Sequence, residues 1–193
     1  ARHSAITMPR DIFEGRPNSQ GVEFGSRLEL GSLTSAMAKS TVPPKPAAMP
    51  ASHVPDACAR AAAAFPAWRN TSADHRAKCL EKAAGLLAAR TPYLCAILAQ
   101  EANKTIDDCI AEVREAVDFL RFYASEARRL CGQFPLPGPV GERNEYITHG
   151  RGVFACIAPW NFPLAIFLGQ VSAALAAGNS VLANPAPQTP PIG

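Results

Sequence analysis

The sequence predicts an α/β fold in which a helical N-terminal segment precedes the first strand–helix–strand unit of a parallel sheet. Within residues 105–130, apolar or small side chains recur at alternating spacings of four and three, which is typical of a helix with one buried face. Further on, two short apolar runs, 152–158 and 180–183, flank an apolar segment over 163–177 that is long enough for a helix. Two strands joined by such a helix are parallel, so these segments form a βαβ unit.

Residues 1–50 are expected to form an extended arm, because proline and glycine recur along it and prolines cluster at its end. A short helix is predicted within the arm, over about 30–39. The next helix, 53–64, is expected to stop before Pro66, which has no amide hydrogen for a helical bond.

Helix starts are marked by capping residues. Ser72 is expected to cap a helix that runs to about residue 89. Thr91 is expected to cap the following helix, over about 92–102, with Pro92 at its first position. Asn103 is predicted at a helix end, where asparagine tolerates the left-handed conformation.

The long helix is expected to run over about 105–130 with Gly132 as its C-terminal cap, and the prolines at 135–139 are expected to force a loop. Residues 145–149 alternate weakly, as an edge strand does, whereas the run 152–158 is expected to be buried on both faces. We therefore divide the chain into an arm, a helical segment and the start of a parallel sheet, with bounds 1–50, 51–140 and 141–193. Two parallel strands cannot bury both faces alone, so we expect the sheet to be incomplete and the sequence to be part of a longer polypeptide.

Composition excludes several classes of function. The net charge of +3 is small and the basic residues are interleaved with acids, so no nucleic-acid surface is predicted. None of the six cysteines forms a CxxC pair, so no metal site is expected. No apolar run reaches the roughly 20 residues that span a bilayer, so we expect no membrane insertion. Four cysteines lie in predicted helices and are expected in the core: Cys79, Cys95, Cys109 and Cys131. Free core thiols of this kind indicate a protein of the reducing cytoplasm.

The turn 157–163, between the first buried strand and its helix, is the candidate site. Ligands of open α/β sheets bind beyond the carboxyl ends of the strands, where this turn lies. Two prolines stiffen it, and Pro163 suits the first position of the helix. An amide N–H₂ of Asn161 held there could stabilise a developing negative oxygen by roughly 3–4 kcal/mol. Alternatively, Asn161 only caps the helix or the turn. No GxGxxG phosphate loop follows either strand.

Four segments, in order, resemble landmarks of the aldehyde dehydrogenase superfamily. Pro159-Trp-Asn-Phe-Pro163 is similar to the signature turn of the family, and residues 176–190 resemble its second landmark. Residues 64–69 and 100–105 resemble its early helices. The resemblance implies that the βαβ unit begins a Rossmann-like NAD-binding domain.

A narrower resemblance concerns residues 16–21 and 111–124, which look like the Δ1-pyrroline-5-carboxylate dehydrogenase module of proline utilization A. It implies NAD-dependent oxidation of L-glutamate γ-semialdehyde, a small aldehyde, to glutamate in proline catabolism. FAD would belong only to a separate proline dehydrogenase module. The catalytic cysteine and general-base glutamate of the family come later than this sequence reaches, so we expect the chain to be inactive alone. Cys156 is not in that motif.

The resemblance also implies roles for residues of this chain. Asn161 would be the oxyanion donor and Phe162 would line the substrate tunnel. Four residues would flank the nicotinamide of the cofactor: Ile157, Ala158, Pro159 and Trp160. Asn184 and Pro187 stand where the family has a lysine and a glutamate that hold the adenosine ribose, so weakened or absent NAD binding is expected, since each lost hydrogen bond costs about 0.5–1.5 kcal/mol.

Two alternatives remain open from the sequence. The chain could be a non-catalytic, truncated or degenerate module for binding or assembly, which the departures at Asn184 and Pro187 favour. It could also belong to an aldehyde dehydrogenase with another substrate. The choice between NAD and NADP and the formation of homo-oligomers are likewise open. An isolated fragment is expected to associate through its exposed sheet edge.

Overall fold

The computed structural model describes residue 3 and residues 5–193. It confirms the mixed α/β architecture. The helices are α1 Arg27–Ala38, α2 Val54–Arg69, α3 Ala73–Ala89, α4 Thr91–Ala102, α5 Ile106–Leu130 and α6 Ala165–Ala176, with 3₁₀ turns at Pro9–Asp11 and Ala51–His53. The strands are β1 Gln133–Leu136, β2 Asn144–Ile147, β3 Val153–Ile157 and β4 Ser180–Asn184.

Helix α5 is the centre of the packing and contacts α3, α4 and α6. Its predicted stripe is confirmed: six of the seven positions are buried, and Ile106 is partly buried against the same core. The buried positions are Ile110, Val113, Val117, Leu120, Ala124 and Ala127. The hydroxyl of Thr105 accepts a hydrogen bond from the amide of Asp108 at 3.2 Å, which caps the helix start.

The caps of the shorter helices follow the sequence with one exception. The Ser72 hydroxyl accepts from the His75 amide at 3.1 Å, as predicted. Asn103 ends α4 with φ of 51°, in the predicted left-handed conformation. The capping role of Thr91 is wrong, because Thr91 lies inside the first turn of α4 and its hydroxyl donates to the carbonyl of Ala88 at 2.8 Å.

Helix α2 does not stop before Pro66, contrary to the prediction, and it continues to Arg69. The proline removes a single helical donor, and the carbonyl four residues earlier belongs to the exposed Ala62, where water can replace the bond. The last turn is also fixed from outside, since the indole N–H of Trp68 donates to the carbonyl of Leu175 in α6 at 3.0 Å. Tertiary contact therefore outweighs the local cost of the proline.

The loop predicted at 135–139 is confirmed only from residue 137 onward, because residues 133–136 form a strand. Helix α5 ends at Leu130, as predicted, but Cys131 takes the capping position expected for Gly132. The strand β1 follows and pairs antiparallel with β2. Pro135 lies within β1 opposite Glu145. A strand at a sheet edge tolerates a proline, because its missing donor can face solvent. The edge strand expected at 145–149 is confirmed as β2, one residue earlier.

Strands β3 and β4 are parallel, with Val153 opposite Ser180 and Ile157 opposite Asn184, which confirms the βαβ unit. The expectation that β3 is buried on both faces is wrong, because in β3 itself Cys156 alone is buried and Ile157 is 64% exposed. Among the described residues the sheet has two strands, and α2 and α6 cover only part of them.

Helix α6 begins at Ala165, two residues later than predicted, and Pro163 belongs to the preceding turn. The amides of Leu164 and Ala165 bond to a side chain of α5 instead of a local cap. No helix of the described residues is long and apolar enough to cross a membrane.

Candidate functional site

The turn 158–164 follows the carboxyl end of β3 and lies beside the end of β4. The amide of Ala158 donates to the carbonyl of Asn184 at 3.0 Å, which joins the start of the turn to β4. The side-chain amide of Gln170, in α6, donates to the carbonyl of Ile157 at 3.2 Å. The turn is thus held where the sequence analysis expected it, at the carboxyl ends of two parallel strands.

The predicted site residues are brought to one edge but differ in exposure. Ala158 is buried and Pro159 is half-buried. The other six predicted site residues are exposed: Ile157, Trp160, Asn161, Phe162, Asn184 and Pro187.

Asn161 is exposed and makes no hydrogen bond to any residue that the structure describes. It does not cap α6, since Leu164 stands at the capping position. The capping alternative for Asn161 is therefore wrong. Its amide is free to donate to a bound group.

Glu112 of α5 fixes the end of this turn. Its side chain is fully buried, and one carboxylate oxygen, Oε1, accepts from the amides of Leu164 at 2.8 Å and Ala165 at 3.3 Å. Unpaired amides at a helix N-terminus carry partial positive charge, so a carboxylate there is stabilising. Glu112 therefore replaces a local cap.

Lys104 neutralises that carboxylate. Its Nζ lies 2.8 Å from Oε2 of Glu112, and the lysine side chain is only 12% exposed. The same Nζ lies 4.4 Å from the ring centroid of Phe162, within reach of a cation–π attraction. One ammonium group thus contacts both the buried carboxylate and the residue next to Asn161.

The second predicted part of the site, around the end of β4, has fewer polar groups. Asn184 and Pro187 are exposed. The carbonyl of Pro187 accepts from Nζ of Lys45 in the arm at 2.6 Å. The end of β4 therefore presents the side-chain amide of Asn184, and Lys45 lies beside the backbone of Pro187.

The opposite end of α6 has its own anchors. The buried guanidinium of Arg76 donates from Nε to the carbonyl of Ala176 at 2.9 Å and also bonds the carbonyl of Thr71. Buried Asn179 accepts from the amides of Arg151 and Gly152, at 2.5 and 3.1 Å. These contacts fix the loop that leads into β3.

Four residues that hold the turn and its helix were not predicted from the sequence: Glu112, Lys104, Arg76 and Asn179. The sequence did contain a sign that Glu112 is buried, because it adjoins Val113 of the apolar stripe. A carboxylate in a buried stripe requires a partner. The sequence does not identify that partner.

The described cysteines include no candidate nucleophile at the turn. Cys156 is buried in β3, and burial raises the pKa of its thiol. Cys95 and Cys109 are buried core residues, as predicted, and burial raises their pKa to about 12 and about 11. Cys79 is exposed and Cys131 is half-buried, so their assignment to the core is wrong.

Comparison with known proteins decides the family. Residues 35–193 match the model of the Aldehyde dehydrogenase family. The chain belongs to this family.

Curated relatives align with two thirds or more of the chain. The bifunctional protein PutA of Klebsiella aerogenes is 39% identical over 222 aligned positions, which cover 98% of this chain and 16% of the relative. A 1-pyrroline-5-carboxylate dehydrogenase of Bacillus subtilis is 39% identical over 67% of the chain and 25% of its own length. The chain thus spans about a sixth to a quarter of the length of these relatives.

Solved structures agree. A mutant of proline utilization A from Bradyrhizobium japonicum superposes with a TM-score of 0.93 and 48% identity, over 98% of this chain and 19% of that one. The 1-pyrroline-5-carboxylate dehydrogenase from Thermus with bound NAD superposes with a TM-score of 0.79 and 29% identity. The match covers 92% of this chain and 41% of that one. The architecture is therefore part of the aldehyde dehydrogenase fold.

Proposed function

We propose that this chain supplies the oxyanion-stabilising turn and the start of the cofactor domain of an NAD-dependent dehydrogenase that oxidises L-glutamate γ-semialdehyde to glutamate in proline catabolism. The observation that carries the proposal is Asn161, exposed and unbonded to described residues, on a turn flanked by prolines beyond the carboxyl end of β3. The similarity to PutA proteins and pyrroline-5-carboxylate dehydrogenases supports the substrate.

The chemistry of the turn follows from its donors. When a nucleophile adds to an aldehyde, the carbonyl oxygen becomes negative and needs a preorganised hydrogen-bond donor. Nδ2 of Asn161 can supply that donor without breaking an existing bond to a described residue, which minimises reorganisation. Phe162, 37% exposed beside it, would line the path of the substrate.

The fit to NAD, which accepts a hydride when bound, is partial. Ile157, Pro159 and Trp160 form an exposed apolar edge that suits the face of a nicotinamide ring, with Ala158 buried beneath them. At β4, Asn184 can donate to a ribose hydroxyl, but residue 187 offers no carboxylate acceptor. We therefore expect weaker NAD binding than in a relative that carries the lysine and the glutamate. Since the family nucleophile is outside this sequence, the chain alone should not turn over aldehyde.

A chimera tests the proposal. The segment of Klebsiella aerogenes PutA that matches this chain is replaced by it, and reduction of NAD is measured with glutamate γ-semialdehyde. We expect NADH formation, and a loss in kcat of roughly 10²–10³ for Asn161→Ala. Asn70→Ala, an exposed asparagine at the end of α2, is the matched control and should keep full activity. Equal activity of the Asn161 and Asn70 variants contradicts the assigned role.

The second candidate is a non-catalytic module for binding or assembly, and the pair Asn184 and Pro187 favours it. Restoring Asn184→Lys with Pro187→Glu in the chimera separates the two. The enzymatic proposal expects the affinity for NAD, measured by calorimetry, to rise. A folded chimera that stays inactive after this restoration supports the second candidate. Turnover of other aldehydes in preference to glutamate γ-semialdehyde would instead indicate an aldehyde dehydrogenase of different specificity.

A further inference from the structure

Two residues remote from the turn in sequence contact it through side-chain interactions. Glu112 lies 52 residues before Leu164, yet its Oε1 accepts the amides of both Leu164 and Ala165. These amides begin α6 three and four residues after Asn161. The Glu112 carboxylate therefore bonds the end of the segment that presents Asn161.

The carboxylate is itself held by Lys104. An unpaired buried charge is costly, and the ammonium of Lys104 lies 2.8 Å from Oε2 of Glu112. Lys104 follows Asn103, whose left-handed conformation ends α4 and turns the chain toward α5. The position of the ammonium group is thus set by backbone geometry at one side and by the carboxylate at the other.

The ammonium also contacts the turn directly. Its Nζ lies 4.4 Å from the centroid of the Phe162 ring, and Phe162 is the next residue after Asn161. The turn is consequently held at two points, at the ring of Phe162 and at the amides of Leu164 and Ala165, and both holds depend on one ion pair.

We propose that Glu112 and Lys104 are positioning residues that set the direction of the Asn161 side chain. This inference rests on the proposed function, because the direction matters only if Asn161 binds a developing oxyanion. Neither residue contacts the reacting atoms. Their effect passes through backbone amides and an aromatic ring.

The test uses the 193-residue chain labelled with ¹⁵N, without cofactor or aldehyde. In Glu112→Ala, amide exchange at Leu164 and Ala165 should accelerate at least tenfold more than at α3, and the side-chain N–H₂ signal of Asn161 should shift. Glu112→Gln, which keeps an acceptor for both amides, should restore part of the protection. Glu115→Gln makes the same chemical change one turn later and should leave the turn unaltered.

If Glu112→Ala does not fold, two milder variants decide the question. Lys104→Arg retains the charge and should preserve the Asn161 signal, whereas Phe162→Leu removes only the ring and should shift it. The inference is overturned if exchange in the turn rises only in proportion to exchange in α3, or if the Asn161 signal is unchanged in both Glu112→Gln and Phe162→Leu.

A kinetic arm separates this inference from the proposed function. In the active chimera, Glu112→Gln should lower kcat about tenfold with the KM for NAD unchanged, since an oxyanion donor acts only in the transition state. An inactive chimera would count against the proposed function, while the exchange measurements would still decide the positioning role. A change in KM alone, with kcat retained, would contradict positioning.

Discussion

The two ends of α6 are held by the same physical means but serve different purposes. At the N-terminal end, the carboxylate of Glu112 accepts two amides, and at the C-terminal end the guanidinium of Arg76 donates to the carbonyl of Ala176. Both charges match the polarity of the helix dipole. The C-terminal anchors fix a buried loop around Asn179, whereas the N-terminal anchor ends in an exposed turn. The same interaction thus stabilises the fold at one end and presents a polar side chain at the other.

The largest effect on stability is expected at the N-terminal end. Glu112→Ala should lower the free energy of unfolding by about 3–5 kcal/mol, because it leaves the nearly buried ammonium of Lys104 without a partner. Urea denaturation measures the loss. Glu115→Ala, exposed on the same helix, should change it by no more than about 0.5 kcal/mol. If both variants lost a similar free energy of unfolding, the Glu112 contact would be no more important than an exposed surface residue.

A smaller effect is expected at the C-terminal end. Arg76→Met should cost about 1–3 kcal/mol, since it leaves the carbonyls of Ala176 and Thr71 short of a donor but strands no opposite charge. Hydrogen exchange should accelerate around residues 175–179 and remain unchanged at 159–163. Lys78→Met, exposed on the same helix, is the control. Faster exchange in the turn at 159–163 would show that the two ends are not independent.

An exposed ion pair provides the contrast to these buried anchors. Arg128 of α5 bonds Asp74 and Glu81 of α3. The hydrogen bond from Arg128 holds the pKa of Glu81 below its usual value, and hydrogen bonds from Lys78 and then Arg128 do the same for Asp74. A lowered folded-state pKa contributes stability above the unfolded value and loses it as the pH falls through the folded value.

Arg128→Met should therefore flatten the decline of stability below about pH 4, measured by urea denaturation at several pH values. The change should be slight, because solvent screens these exposed charges. An unchanged pH profile would show that the pair contributes nothing measurable.

The smallest expected effect is a difference in thiol labelling between exposed and buried cysteines. The exposed Cys58 and Cys79 should react with iodoacetamide at pH 8 well before the buried Cys95, Cys109 and Cys156, whose raised pKa values keep them as thiols. Peptide mass spectrometry assigns the sites. Fast labelling of Cys156 would contradict its buried position in β3.

Thiol labelling can also compare the variants at the two ends of α6, Glu112→Ala and Arg76→Met. Glu112→Ala should speed the labelling of Cys109, one turn earlier on α5, whereas Arg76→Met should not. Equal acceleration in the two variants would point to general loosening of the core.

How far the sequence predicted the fold depended on the range of the interactions. The stripe of α5, the cap at Ser72 and the left-handed Asn103 are local features, and all three are confirmed. Pro66 and Pro135 were misinterpreted because a contact from Trp68 and an edge position outweighed their local cost. The parallel pairing of β3 and β4 was predicted correctly from one apolar pattern, but the exposure of β3 was not, since burial depends on neighbouring elements.

The candidate site divides in the same way. The amino-acid sequence alone determined that a stiff turn with an asparagine follows a strand end, because prolines and apolar periodicity act over a few residues. Only the tertiary structure decided what holds that turn. Glu112, Lys104 and the amide of Leu164 meet because α4 and α6 each pack against α5, and a pairing across 52 residues leaves no periodic trace in the sequence.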